Sequence, residues 1–159
     1  MKKMYKLLLK LNNIQLSALI LVSIFITNLL FTLVKYFVFS NKEALRNYPL
    51  ADTPILYLIV GLVIAPILET MIFQKAAIAL SKFFLKNNFI SVIISSLLFG
   101  LMHFYSFSSI LMTSLMGFYF GLHYTILYRK KSKPLLTTAI LHSCWNLLSI
   151  VGFYLTKLQ

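Results

Sequence analysis

Residues 56–73 read LYLIVGLVIAPILETMIF, a run in which Glu69 is the single charged side chain. A helix that crosses the hydrocarbon core of a bilayer needs about 20 mostly apolar residues. This run, begun near Pro54, supplies them. A helix on the surface of a soluble domain would return to polar residues every turn, and here no such stripe recurs. The rest of the chain agrees. Of its 159 residues, 60% are hydrophobic and 11% charged, and the mean hydropathy is +0.87. A soluble domain of this length cannot hide that much apolar side chain, so the bilayer is the solvent. The expected fold class is all-α: an integral membrane helical bundle forming one compact domain.

Working outward from that run, the sequence suggests five spans. The first is Ile14 to Val34, preceded by the basic start MKKMYKLLLKLNN. That start resembles a signal peptide, but the apolar run is long and has no Ala-x-Ala cleavage pattern, so it reads as a retained anchor. The third and fourth spans divide residues 88–128 at a polar turn near Ser106 to Ser109, and the fifth is Leu135 to Leu155. Residues 1–53 therefore read as an anchor helix plus an outer loop, SNKEALRNYPLADT, and residues 54–159 as the helical core. The formal charge of +12 is spread in short clusters between apolar runs. Such clusters set topology and attract lipid headgroups, and they do not form a nucleic-acid surface. Lys2, Lys3, Lys6 and Lys10, then Lys75, Lys82 and Lys86, then Arg129, Lys130, Lys131 and Lys133 would share one side, against Lys35, Lys42, Arg46 and Lys157 on the other. The positive-inside rule then puts the amino terminus in the cytoplasm and the carboxyl terminus outside. The lone cysteine, Cys144, excludes an intramolecular disulfide.

Polar residues inside the spans are the candidates for chemistry. Glu43 and Asp52 fall in the outer loop, which leaves Glu69 as the one carboxylate in an apolar span. Its insertion costs about 3 kcal/mol or more, so such a group normally faces a cavity and has a task. His103 stands in LLFGLMHFYS, residues 97–106. His142 and Asn146 lie four apart in LHSCWNLL and so share one helical face. Each of these has a plainer reading as a hydrogen bond between helices. Cys144 falls on the face opposite His142 and reads as a small apolar filler. His123 reads as a group reaching the interface near the Arg129 turn, and Gly117 with Gly121 as a small-residue face for close helix packing. Counted along their helices, Glu69, His103 and His142 lie about 25, 22 and 12 Å from the basic side, which tilt allows to converge.

The order ETMIFQ, FGLMH, GFYFGLHY and HSCWN resembles the CPBP family, also called the CAAX-protease and bacteriocin-processing or Abi family. Its pattern is Glu-Glu-x-x-x-Arg, Phe-x-x-x-His, a glycine-bearing helix and His-x-x-x-Asn. The matching positions are Glu69, Phe99 with His103, and His142 with Asn146, over roughly residues 61–150. The resemblance implies an intramembrane endopeptidase in a bacterial plasma membrane, acting on a membrane-anchored or lipidated peptide, with membrane lipids as its surroundings. By that resemblance Glu69 and His103 hold and deprotonate a water, while His142 and Asn146 stabilise the oxyanion. The chemistry is sound, since a positioned carboxylate is a general base and N–H donors in a dry site stabilise developing charge. No cofactor is required on this reading. The family often carries the label metalloprotease, and Glu69, His103 and His142 would be the ligands if a divalent metal such as zinc bound.

Two positions depart from the pattern. Thr70 stands where the family has its second glutamate, and Gln74 where it has arginine. The two are four apart, where an ion pair would form, and both charges are absent together. A hydroxyl and an amide remain, able to hydrogen-bond in support of the site, with Lys75 as the next cation along. The altered motif leaves two other readings. One is a transferase component in lipoprotein N-acylation, with the same Glu–His pair activating an amine. The other is a non-catalytic bacteriocin-immunity or scaffold protein that uses only the fold.

Overall fold

The computed structural model describes residues 2–39 and 54–157. The outer loop, with Lys42, Glu43, Arg46 and Asp52, lies outside the described residues. The described chain is helices joined by short turns, with no strand among the described residues, and four of its helices are long and apolar enough to cross a membrane. This is a multi-pass membrane bundle. Its outward surface is apolar, with Leu29, Leu30, Phe83 and Leu97 exposed as lipid-facing side chains.

Helix α1 (Lys2–Lys10) is separate from α2 (Asn13–Phe39). The break is made by a capping box. The Gln15 N–H donates to Asn12 Oδ1 at 2.8 Å, and the Asn12 N–H donates to Gln15 Oε1 at 3.0 Å. α1 turns Lys6 and Lys10 outward and lays Tyr5, Leu8 and Leu9 against the core. At the same end Arg129 sits over the Tyr5 ring, 5.0 Å from its centroid, and the Lys130 ammonium donates to the Leu11 carbonyl. The lysine-rich start and the basic turn after residue 129 thus share one end of the bundle, as the charge count requires. On α2, Leu16, Ile20 and Ile24 form a buried stripe at four-residue spacing. The stripe meets Phe99 and Phe120, Ile126 and Leu127, and Leu141 and Trp145 in one core.

Helix α3 (Ile55–Leu85) runs unbroken past the end of its apolar stretch. It is not a uniform α-helix: Val60–Ile64 and Thr70–Ala77 are π-helical, on either side of the short α segment Ala65–Glu69. Such wider turns are frequent at functional sites, and here they bracket Glu69. Helix α4 (Asn88–Leu101) follows, with the Asn87 side chain accepting from the N–H groups of Phe89 and Ile90 at its start. Then come α5 (Phe107–Arg129), capped by Ser106, and α6 (Pro134–Lys157).

The expected five full spans need correction at α4. It has 14 residues, a rise of about 21 Å, short of the roughly 30 Å hydrocarbon core. The helix stops at Leu101 because the chain turns at Met102 to Tyr105, so His103 sits in a turn and not inside a lipid-facing helix. The sequence hides this stop, since Met102, Phe104 and Tyr105 continue the apolar run. Helices α4 and α5 make a close pair. A Cβ on Gly117 would lie 3.0 Å from Phe99 Cβ, and one on Gly121 would lie 3.1 Å from Val92 Cγ1. Gly100 faces the other way across the pair, where a Cβ would come 2.6 Å from the Ile110 carbonyl, a backbone atom that cannot step aside.

Two further expectations change. His123 does not reach the interface: it is fully buried. Its Nε2 lies 3.0 Å from Ser17 Oγ and its Nδ1 2.9 Å from Thr138 Oγ1, tying α2, α5 and α6 together. The reason is that α2 and α6 close over both sides of α5 at this level. Cys144 is no filler either; it is exposed on the outer face of α6.

Candidate active site

The site is built from helix ends and helix faces. At the end of α4 the last carbonyls lack intrahelical partners. The Phe99 carbonyl is taken by His103, whose Nδ1 lies 2.8 Å away. A carbonyl only accepts, so the Nδ1 carries the hydrogen, and in the neutral ring Nε2 is left with a lone pair. The four-residue spacing of Phe99 and His103 therefore sets both the tautomer and the aim of the imidazole. The Phe99 ring packs against that imidazole at 4.9 Å between centroids and against His142 at 5.7 Å, so it spaces the two histidines. Phe73 and Phe120 hold the Phe99 ring edge-on from two other sides.

His142 enters from α6. It is buried and stacked on Phe120, ring centroids 4.5 Å apart. Its Nε2 is 3.6 Å from Glu69 Oε2, close but beyond hydrogen-bonding reach, and its Nδ1 is buried without a partner among the described residues. Glu69 comes from the α segment between the two π turns and keeps 27% of its side chain exposed. One turn beyond His142, the Asn146 amide donates from Nδ2 to the Gly61 carbonyl at 2.8 Å.

Glu69, His103, His142 and Asn146 line one cavity of about 570 Å³, and Phe99 forms part of its wall. Side chains from α3, the α4–α5 turn and α6 thus line one space, a convergence that their depths along the helices allowed. Thr70 and Gln74 do not join them. Both are fully buried outside the cavity wall, and Thr70 Oγ1 and both amide atoms of Gln74 have no hydrogen-bond partner among the described residues. The hydroxyl and the amide, expected to hydrogen-bond in support of the site, do not do so among the described residues. Lys75 turns outward and is exposed, so it brings no compensating cation to Glu69.

The sequence reading missed Asn28. It lies on α2 and lines the same cavity. The signal was present but weaker than that of Glu69: an amide within a largely apolar span, without charge. Phe25 and Trp145 add apolar wall, and Ser109 and Thr113 of α5 add polar edge.

A metal fits this arrangement poorly. Among the described residues no three His, Cys, Asp or Glu side chains are grouped so as to hold a metal ion. Glu69 and His142 approach one another, and the Nδ1 of His103 is engaged by the Phe99 carbonyl. Zinc takes three or four such donors in its protein sites, and the described residues offer no such group.

No curated protein and no solved structure matches the chain. The family model for type II CAAX prenyl endopeptidase Rce1-like proteins matches residues 51–148. That interval contains Glu69, His103, His142 and Asn146, and it bears out the resemblance drawn from the motifs. With well over half of its length matched, the chain belongs to the type II CAAX prenyl endopeptidase Rce1-like family.

Proposed function

We propose that this chain is an intramembrane endopeptidase that cleaves a prenylated, membrane-anchored peptide with a water held by Glu69 and His103. The observation that supports this reading most strongly is the shared cavity: Glu69 from α3, His103 from the α4–α5 turn, and His142 with Asn146 from α6 face the same space. Nothing in helix packing alone calls for these four to meet. The His103 Nε2 lone pair accepts a hydrogen bond from the water and aims it. Glu69 takes a proton as the water oxygen attacks the scissile carbonyl. The resulting oxyanion faces an Nε2–H of His142 and the second N–H of Asn146, donors that cost no reorganisation in a preformed site. When the C–N bond breaks, the proton held by Glu69 passes to the departing amine, which leaves a carboxylate and a free amino group. The apolar wall from Phe25 and Trp145 takes the lipid chain, and the Asn28 amide pairs with the peptide backbone.

The test uses the purified full chain in liposomes, given a peptide that ends in a CAAX sequence and is prenylated on its cysteine. Mass spectrometry is expected to find a shortened peptide that keeps its prenyl group. An intact peptide with an acyl chain added at its amino terminus would instead support the lipoprotein N-acylation reading. Unchanged peptide would favour the non-catalytic one.

A further inference from the structure

We propose that Pro66 is a positioning residue: by presenting no N–H to the Gly61 carbonyl, it leaves that carbonyl to grip the Asn146 amide at the cavity wall.

The first π turn of α3 carries the argument. The Ala65 N–H bonds to the Val60 carbonyl, five residues back. In that register the donor due to the Gly61 carbonyl is the N–H of residue 66. Residue 66 is proline and has none. In a plain α-helix the same proline would strand the carbonyl of Leu62, four residues back; the wider turn moves the unfilled acceptor to Gly61. A carbonyl without a donor inside a membrane is costly, and neighbouring side chains are the usual remedy. Here the remedy is Asn146 Nδ2, 2.8 Å away and 85 residues distant in sequence.

The bond also settles how the amide stands. Gly61 offers an acceptor, so the NH₂ of Asn146 must face it and Oδ1 must face away. One N–H is committed to α3 and the other is kept beside the cavity that Asn146 lines. Gly61 itself is not there for clearance, because a Cβ on it would meet nothing within 4 Å. What the site uses is its carbonyl, and what frees the carbonyl is the buried Pro66. The catalytic half of this inference rests on the peptidase reading above; the structural half does not.

The experiment is a double-mutant cycle on the full chain in lipid nanodiscs, with thermal unfolding and cleavage both read. Asn146→Ala is expected to lower Tm by about 3 °C in the parent, the shift for one lost hydrogen bond in a chain of this size. In a Pro66→Ala background the same change is expected to cost little, because the new N–H at residue 66 closes onto Gly61 by itself. Pro66→Ala alone is expected to lower kcat about 10-fold or more at unchanged KM, since the amide loses its anchor. An equal Tm loss in both backgrounds overturns the proposal. Coupled Tm values with an unaltered kcat overturn its positioning half and leave a structural tie only. Should Pro66→Ala not fold, Asn146→Asp keeps the size and removes the donor. It is expected to match the Tm loss of Asn146→Ala, and a parental Tm would overturn the proposal. The cycle reads stability whatever the reaction is, so its failure is separable from failure of the peptidase reading, which Glu69→Gln tests.

Discussion

Glu69→Gln is expected to reduce cleavage of a prenylated peptide by at least about 10²-fold, the usual contribution of a positioned general base. The protein should remain folded. Glutamine keeps the shape of the side chain, and among the described residues Glu69 makes no hydrogen bond that its replacement would break: the His142 Nε2 stands 3.6 Å away. The side chain also reaches the cavity with about a quarter of its surface exposed, so the amide has space to be solvated. The loss should therefore appear in kcat, with Tm in lipid close to the parent. Two measurements decide it, initial rates in proteoliposomes and a thermal melt of the same preparation. If the variant keeps full activity, neither hydrolysis nor acyl transfer runs through this carboxylate. If it unfolds, Glu69 is a structural residue and the site has been misread.

The second large effect concerns Thr70 and Gln74. Both are fully buried, and their polar atoms find no partner among the described residues. Thr70→Glu alone or Gln74→Arg alone places one unpaired charge in that site, at a cost of about 3–5 kcal/mol. The two changes together are expected to recover most of that loss, because at four-residue spacing on one helix the carboxylate and guanidinium can pair. Folded yield and Tm of the two single variants and the double variant measure the coupling. Single variants as stable as the double would show that the two positions do not face one another. The parent pair is a compensated state in the same sense: with neither charge present, nothing ionic is stranded, although three polar atoms remain without partners.

Most of the candidate site's cavity lining could be read from the sequence because its members are costly in a membrane. Glu69, His103, His142 and Asn146 stand out from apolar neighbours by residue type alone, and the spacing of the last two puts them on one face. The small-residue face of α5 was equally legible, since Gly117 and Gly121 sit one helical turn apart. The end of α4 was not. Helix termination at Leu101 depends on a turn whose residues are as apolar as the helix, and on an imidazole that takes the Phe99 carbonyl. Asn28 was passed over because an uncharged amide in an apolar run attracts less notice than a carboxylate. The burial of His123 could not be foreseen from α5 alone. It depends on Ser17 and Thr138 arriving from two other helices, which only the packed bundle decides. The π turns of α3 were beyond sequence reading for the same reason, yet they determine which carbonyl meets Asn146.

The measurement that bears most directly on a water poised between Glu69 and His103 is an oxygen-18 label. The purified chain in liposomes is given the prenylated CAAX peptide in H₂¹⁸O, and the product is weighed by mass spectrometry. The account predicts one ¹⁸O atom in the newly formed carboxylate of the prenylated fragment and none in the released peptide. A product made without the label, or none at all from a folded and correctly inserted protein, would contradict it.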